Sequence, residues 1–330
     1  MRAVALLALA ACSHAPAGHD SDASAGDAAI ATLDGAGAYT AGTFSSDQGQ
    51  LDYEVYTPSG YHAGTPVPLV LAITGCLQSI DQLEQVSRFS QLADQQTFVV
   101  VYVAQSAARN PTQCWNWPLP ADQARDTGEP SLLAGITRTV GDTWSIDPAR
   151  RFVIGASAGG AMSVILGATY PDVFAAIGVI AGCEYKGAPC GPVGGPDPVG
   201  QGQVAYQAMA GQARVVAAIV FHGQDDTVVA PVNGQQVAEQ WVSTDDYADD
   251  GVHDGSIPAA PSSTTQHQVP GGHAYTVTDY GGAQPIVELV LIAGAGHAWP
   301  GGTAGALYAD PAGPDATAMS YAFFAAHPAP

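Results

Sequence analysis

The chain has 330 residues, 47% of them apolar, and sets 30 Asp and Glu against 9 Lys and Arg for a formal net charge of −21. Basic groups supply most of the affinity for phosphate backbones and anionic surfaces, so this balance, with Lys186 the one lysine, argues against nucleic acid as a partner. Glycine (39) and proline (24) are frequent but show no collagen-like or heptad period, and the apolar fraction is too high for wholesale disorder, leaving a loop-rich globular protein.

Arg2 precedes an apolar run, Ala3 to Ala11, too short to span a bilayer but long enough for a signal-peptide core. Its end, Leu9-Ala10-Ala11-Cys12, resembles a bacterial lipobox, which implies a signal peptide over 1–12 and lipidation of Cys12. The rival reading is an ordinary signal peptide with a chance cysteine. The protein is therefore expected to be exported and either lipid-anchored at the cell envelope or secreted, touching membrane through the anchor only. Residues 13–37, mostly Ala, Ser, Asp, Gly and His, read as a flexible tether, and 38–330 as one folded domain.

Export places Cys76, Cys114, Cys183 and Cys190 in an oxidising compartment, where an even number fits two disulfides among three possible pairings. Six turn-rich residues separate Cys183 from Cys190, which favours local closure of that pair and leaves Cys76 for Cys114. Zinc is the alternative, but the spacings are not those of structural zinc motifs, so no metal is expected.

Beyond the tether, β-rich runs alternate with helical ones. Strands are expected at Leu51 to Tyr56, Pro68 to Ile73, Thr97 to Val103, Phe152 to Gly155, Ala175 to Ile180, Val215 to Phe221 and Ile286 to Ile292. Most are continuously apolar, as in strands of a mostly parallel sheet covered by helices on both faces. Helices are expected at Ile80 to Gln95, Ser131 to Trp144, Gly159 to Tyr170, Gln201 to Gln212, Val232 to Trp241 and Ala316 to Ala326. This is an α/β pattern with right-handed crossovers. The stretch Ser243 to Gly282 reads as an excursion from the sheet, and its acidic run Asp245 to Asp250, out of register for a calcium loop, as a solvated loop.

Gly155-Ala156-Ser157-Ala158-Gly159 carries the first chemical signal. G-x-S-x-G alone is weak, but here it follows an apolar strand and opens a helix, the setting that a nucleophile elbow requires. A serine hydroxyl needs a base within hydrogen-bond reach and a third group to orient that base. Asp226, in the loop after Val215 to Phe221, supplies the acid, and His297, in the glycine-rich segment Gly294 to Gly302, supplies the base. The order Ser157, Asp226, His297 is that of α/β-hydrolases. His222 is read as a packing residue, or as one that pins the acid loop by a hydrogen bond. The oxyanion donors are assigned to the amides of Ala158 and of Cys76, which follows the strand ending at Ile73.

The segments Asn110-Pro111-Thr112-Gln113-Cys114-Trp115-Asn116-Trp117 and Arg125-Asp126-Thr127-Gly128-Glu129-Pro130, the elbow, Tyr170-Pro171 and Gly296-His297-Ala298-Trp299-Pro300-Gly301-Gly302 together resemble the polyhydroxybutyrate depolymerase family of esterases over about residues 50 to 325. The resemblance implies an α/β-hydrolase fold, a Ser-His-Asp triad and an oxyanion donor at Gly75-Cys76, in a group that also holds feruloyl and acetylxylan esterases. Thr74 and Pro118 depart from the family pattern, which usually has histidine and an aromatic residue there. The expected activity is hydrolysis of esters of poly(3-hydroxybutyrate) or its oligomers by a monomer with no cofactor. Alternatives are deacylation of plant polysaccharide and a non-catalytic, polymer-binding lipoprotein. Trp115 and Trp299 are expected to bind substrate in an apolar cleft. Many secreted depolymerases add a polymer-binding module, and with no residues for one before Pro330, attack on crystalline polymer is expected to be weak.

Overall fold

The computed structural model describes residues 37–188 and 190–330; Cys12 and residues 13–36 of the expected tether lie outside the described residues. In chain order the elements are β1 (Ala38–Ser46), β2 (Gly49–Thr57), β3 (Val67–Ile73), α1 (Ile80–Ser87), α2 (Phe89–Gln96), β4 (Val99–Val103), α3 (Gly128–Thr143), β5 (Ile146–Ala156), α4 (Ala158–Thr169) and β6 (Ala176–Ile180). There follow α5 (Pro198–Met209), β7 (Ala217–Gly223), α6 (Val232–Ala248), β8 (Ser263–Gln268), β9 (Ala274–Tyr280), β10 (Val287–Ile292) and α7 (Ala316–Ala326). One sheet of ten strands has the order β1-β2-β4-β3-β5-β6-β7-β10-β9-β8. Its centre, from β4 to β10, is parallel, and antiparallel strands extend it at both edges.

The continuous apolar runs explain the layering. On β3, Leu69, Leu71 and Ile73 face one hydrophobic layer with α3, α4, α5 and α6, while Val70 and Ala72 face the other with α1, α2 and α7. Both faces are covered, so strands such as β4 (VVVYV) are buried at every position. Local signals agree: Ser79 and Gln82 form a reciprocal capping box at the start of α1, and Asp315 caps α7 through the N–H of Ala318.

Four expectations change. The helix expected at Ile80 to Gln95 is two helices broken at Arg88, whose φ is 58°. Its guanidinium bonds the Gly301 carbonyl and the Asp315 carboxylate at 2.7 and 2.8 Å. The stretch Ser243 to Gly282 is not wholly an excursion: α6 runs on to Ala248, and β8 and β9 join the sheet as its antiparallel edge. Its acidic run is not uniformly solvated. Asp245 and Asp246 are buried on α6, where Asp245 accepts the Val216 N–H at 3.0 Å and Asp246 accepts the Gly255 and Ile257 amides and the Ser256 hydroxyl. Finally, β1 was not expected from its polar, largely exposed sequence. Disulfides join Cys76 to Cys114 and Cys183 to Cys190, the favoured pairing.

Burial is the main cause that raises the carboxyl pKa of Glu129 and Glu288 to about 7 and of Glu184 to about 8, against an ordinary value of 4.5. The folded state then holds protons that the unfolded chain has released, so this stability is fully present below about pH 4.5 and is lost as pH rises through 7 to 8. Asp147 and Asp172 go the other way: burial alone would raise them, but their arginine partners hold them below the ordinary 3.8. The midpoint of thermal unfolding is therefore expected to rise between about pH 8 and about pH 5 and to fall below about pH 4. A calorimetric series that is flat or declining between pH 8 and 5 would contradict this.

Candidate active site

Ser157 stands between β5 and α4 with φ 56° and ψ −120°, a backbone conformation that costs about 1–3 kcal/mol for a residue with a side chain. Two glycines make the turn possible. A Cβ on Gly155 would lie 2.3 Å from the carbonyl carbon and oxygen of Gly159. A Cβ on Gly159 would lie 2.5 Å from the carbonyl oxygens of both Ile73 and Thr74, so α4 starts directly against the end of β3. The Ser157 N–H donates to the Ile180 carbonyl at 2.8 Å, which ties the elbow to β6 as well.

Asp226 follows β7 in a loop that closes on itself. Its Oδ1 accepts the amides of Val228 and Val229, each at 2.9 Å, and its Oδ2 lies 2.7 Å from His297 Nδ1. Burial alone would raise its pKa, but the His297 bond and these amides outweigh it and hold Asp226 below the ordinary carboxylate value. Asp225 is exposed instead. Its N–H bonds the Ala295 carbonyl at 2.9 Å, so the acid loop and the histidine loop share backbone contacts. His222 is buried, with Nε2 2.8 Å from the Val229 carbonyl and 3.5 Å from Asp226 Oδ2. Burial lowers its pKa, and the neutral ring donates to Val229 and so pins the acid loop.

Ser157 and His297 line one cavity of about 310 Å³ with Cys76, Gln78, Val228 and Trp299. Among the described residues that line it, none is an Asp, Glu, Lys or Arg, and the walls are mostly apolar. The Gly75-Cys76 turn faces the elbow, since a Cβ on Gly75 would sit 3.5 Å from Ser157 Cβ. Neither the Cys76 nor the Ala158 amide donates to another described residue. The arrangement can therefore present a hydroxyl, an imidazole backed by a carboxylate and the free Cys76 N–H to one neutral ligand, while Ala158, the residue after the nucleophile, is buried behind the residues that line the cavity.

The tryptophans divide. Trp299 lines the cavity, with its N–H on Thr317 Oγ1 at 3.0 Å and its ring edge-on to Phe89. Trp115 does not reach the cleft: it is 1% exposed, packs in the core and donates to the Thr74 carbonyl at 2.9 Å. Its expected contact with substrate is corrected to a contact beneath the Gly75-Cys76 turn. Leu77, Gln78 and Tyr308 also line the cavity, without having been expected there. Gln78 carries a signal in its position two residues past Cys76, whereas Tyr308 lies in an irregular segment without a motif.

A family model described as Esterase PHB depolymerase matches residues 51–256. The chain belongs to this family. The match includes the elbow and Asp226 and ends before His297. Among relatives, poly(3-hydroxyalkanoate) depolymerase C of Paucimonas lemoignei is 33% identical over 266 residues, covering 78% of this chain and 60% of that protein. An acetylxylan esterase of Coprinopsis cinerea is 29% identical over 228 residues, covering 64% of this chain and 56% of that one. The chain thus spans 56 to 60% of the length of these two curated relatives. The solved acetyl xylan esterase from Aspergillus awamori superposes with a TM-score of 0.68 over 87% of this chain and 99% of that one, at 18% identity, which shows a shared fold.

Since two backbone oxygens occupy the space a methyl group would need at Gly159, Gly159→Ala is expected to destabilise the protein by about 3 kcal/mol. Urea unfolding with an unchanged midpoint would show that β3 and α4 can part at little cost.

Proposed function

We propose that this member of the Esterase PHB depolymerase family is a carboxylic ester hydrolase that works through an acyl-enzyme on Ser157. The observation that carries this reading is the 2.7 Å contact between His297 Nδ1 and the buried Asp226 carboxylate, in loops that bring the imidazole to the cavity of Ser157. His297 takes the Ser157 proton as Oγ attacks the ester carbonyl, and Asp226 stabilises the imidazolium that forms. The Cys76 and Ala158 amides stabilise the oxyanion, His297 returns the proton to the departing alcohol, and water then repeats the sequence on the acyl group. No step calls for a metal or an organic cofactor.

The preferred substrate is poly(3-hydroxybutyrate) or its oligomers. Uncharged, mostly apolar walls suit a short neutral acyl chain, and the depolymerase of Paucimonas lemoignei is the more similar of the two relatives described. Deacylation of plant polysaccharide is the second reading, supported by the acetylxylan esterase relative. The catalytic domain is taken as residues 38–330, a monomer, exported and anchored through Cys12 or secreted.

Ser157→Ala is expected to lower turnover of an activated short-chain ester by about a million-fold and Asp226→Asn by about ten-thousand-fold, with Asp225→Asn close to wild type. Equal losses from the two aspartate changes would undo the choice of acid. For the substrate, hydroxybutyrate released from amorphous polymer is compared with acetate and ferulate released from substituted xylan, with Ser157→Ala as the blank. Hydroxybutyrate alone is expected. Acetate or ferulate alone would move the enzyme to polysaccharide, and binding of polymer or xylan without any hydrolysis would leave a binding protein.

A further inference from the structure

The turn assigned to the oxyanion is fastened at all but one of its donors. The Thr74 N–H bonds the Val103 carbonyl at 3.1 Å, and the Leu77 N–H bonds the Gln113 carbonyl at 3.2 Å. The peptide unit joining Thr74 to Gly75 is held at both ends: its oxygen accepts Trp115 Nε1 at 2.9 Å, and its N–H donates to Gln78 Oε1 at 3.0 Å. Cys76 is itself tied to Cys114. Within 74–77, the Cys76 N–H is the one amide that meets no acceptor among the described residues.

Three consecutive residues, Gln113, Cys114 and Trp115, therefore grip Leu77, Cys76 and Thr74. The next residue, Asn116, is gripped in turn. Its N–H donates to Glu129 Oε2 at 2.7 Å and its Nδ2 to Glu129 Oε1 at 2.6 Å. Gln105 Nε2 also donates to Oε1, and Asn110 Nδ2 holds the Asn116 side-chain oxygen at 2.9 Å. Glu129 is fully buried in the first turn of α3, where its own N–H bonds Asp122 Oδ1 at 2.7 Å. Above its raised pKa of about 7 Glu129 is a buried carboxylate, and the three N–H groups it accepts anchor the segment to the rigid start of a helix. Neither Trp115 nor Glu129 lines the cavity.

We propose that Trp115 and Glu129 are positioning residues for ester hydrolysis, forming a strap from α3 to the Gly75-Cys76 turn that sets the direction of the Cys76 N–H. The inference rests on the esterase reading and adds to it. An amide clamped at both ends of the preceding peptide unit cannot swing when charge develops on the substrate oxygen. Removing the clamp should weaken the transition state more than the bound substrate, because the oxyanion forms only after attack.

The test uses the full-length protein and an activated acetate or butyrate ester. Trp115→Phe removes the indole N–H and keeps an aromatic ring, and Glu129→Gln keeps the shape but turns a donor toward the donors of Asn116 and Gln105. Each is expected to lower kcat by about 10- to 100-fold with KM within about twofold. Each should weaken a boronic acid, whose tetrahedral adduct on Ser157 places an oxygen in the same position, by a matching factor. Trp117→Phe, in the same segment but outside the strap, is the control and should stay within about twofold of wild type. Should Trp115→Phe fail to fold, Glu129→Gln carries the same expectation with the indole in place. Folded variants with unchanged kcat, or with the loss in KM and not in kcat, would overturn the strap while leaving the esterase reading intact. A wild-type protein that hydrolyses no ester would overturn both.

Discussion

The contact on which the site depends is the one between the start of α4 and the end of β3. Gly159 lies against the carbonyl oxygens of Ile73 and Thr74 with no room for a Cβ, and this holds Ser157 in a conformation that side chains rarely adopt. The same contact aligns two of the loops that meet at the cavity, because Ile73 and Gly155 are register partners in the parallel pair β3–β5. The turn with the free Cys76 amide and the turn with the Ser157 hydroxyl thus leave the sheet side by side. A strained turn persists only where its surroundings over-determine it, and the surroundings here are two backbones that cannot separate without breaking the centre of the sheet.

The other half of the site repeats the arrangement. Gly223 on β7 and Ile292 on β10 are register partners, and the loops that follow them carry Asp226 and His297. The carboxylate is fixed before the histidine meets it, with Oδ1 occupied by two amides and the loop pinned by His222 on the Val229 carbonyl. Only Oδ2 is left to orient the imidazole. The cavity carries no acidic side chain among its described lining residues, and Asp226, buried behind His297, is held as a carboxylate by N–H donors. The parallel register therefore accounts for the meeting of four loops drawn from residues 75 to 297.

These features explain which parts were legible in the sequence. β3, β4, β6 and β7 are covered on both faces, so they must be continuously apolar and read as strands. Asp226 follows β7, while Ser157 and His297 follow β5 and β10, which end in the apolar runs Phe152 to Ile154 and Leu289 to Ile292; their chain order pointed to one site, and the structure brings them together around a shared contact and cavity. The edges were harder. β1, β8 and β9 are polar because they border solvent, and β8 (STTQHQ) is exposed at every position, which leaves no alternation to detect. Arg88 breaks a helix through bonds to Gly301 and Asp315, more than two hundred residues away and invisible to any local pattern. Asp245 and Asp246 looked like solvated loop residues because a run of acids does so ordinarily; here their oxygens cap backbone amides buried beside α6. Trp115 was recognisable as a motif residue, but whether its ring faces ligand or core depends on the partner of its N–H, which is set by tertiary contact.

The most direct test of the account treats the purified protein with an alkyl phosphonate ester that phosphonylates activated serines, followed by peptide mass spectrometry. The account predicts a single adduct on Ser157 that is lost in His297→Ala, since the hydroxyl is activated only by the imidazole that Asp226 orients. An adduct on a different serine, or equal labelling of Ser157 with and without His297, would contradict it.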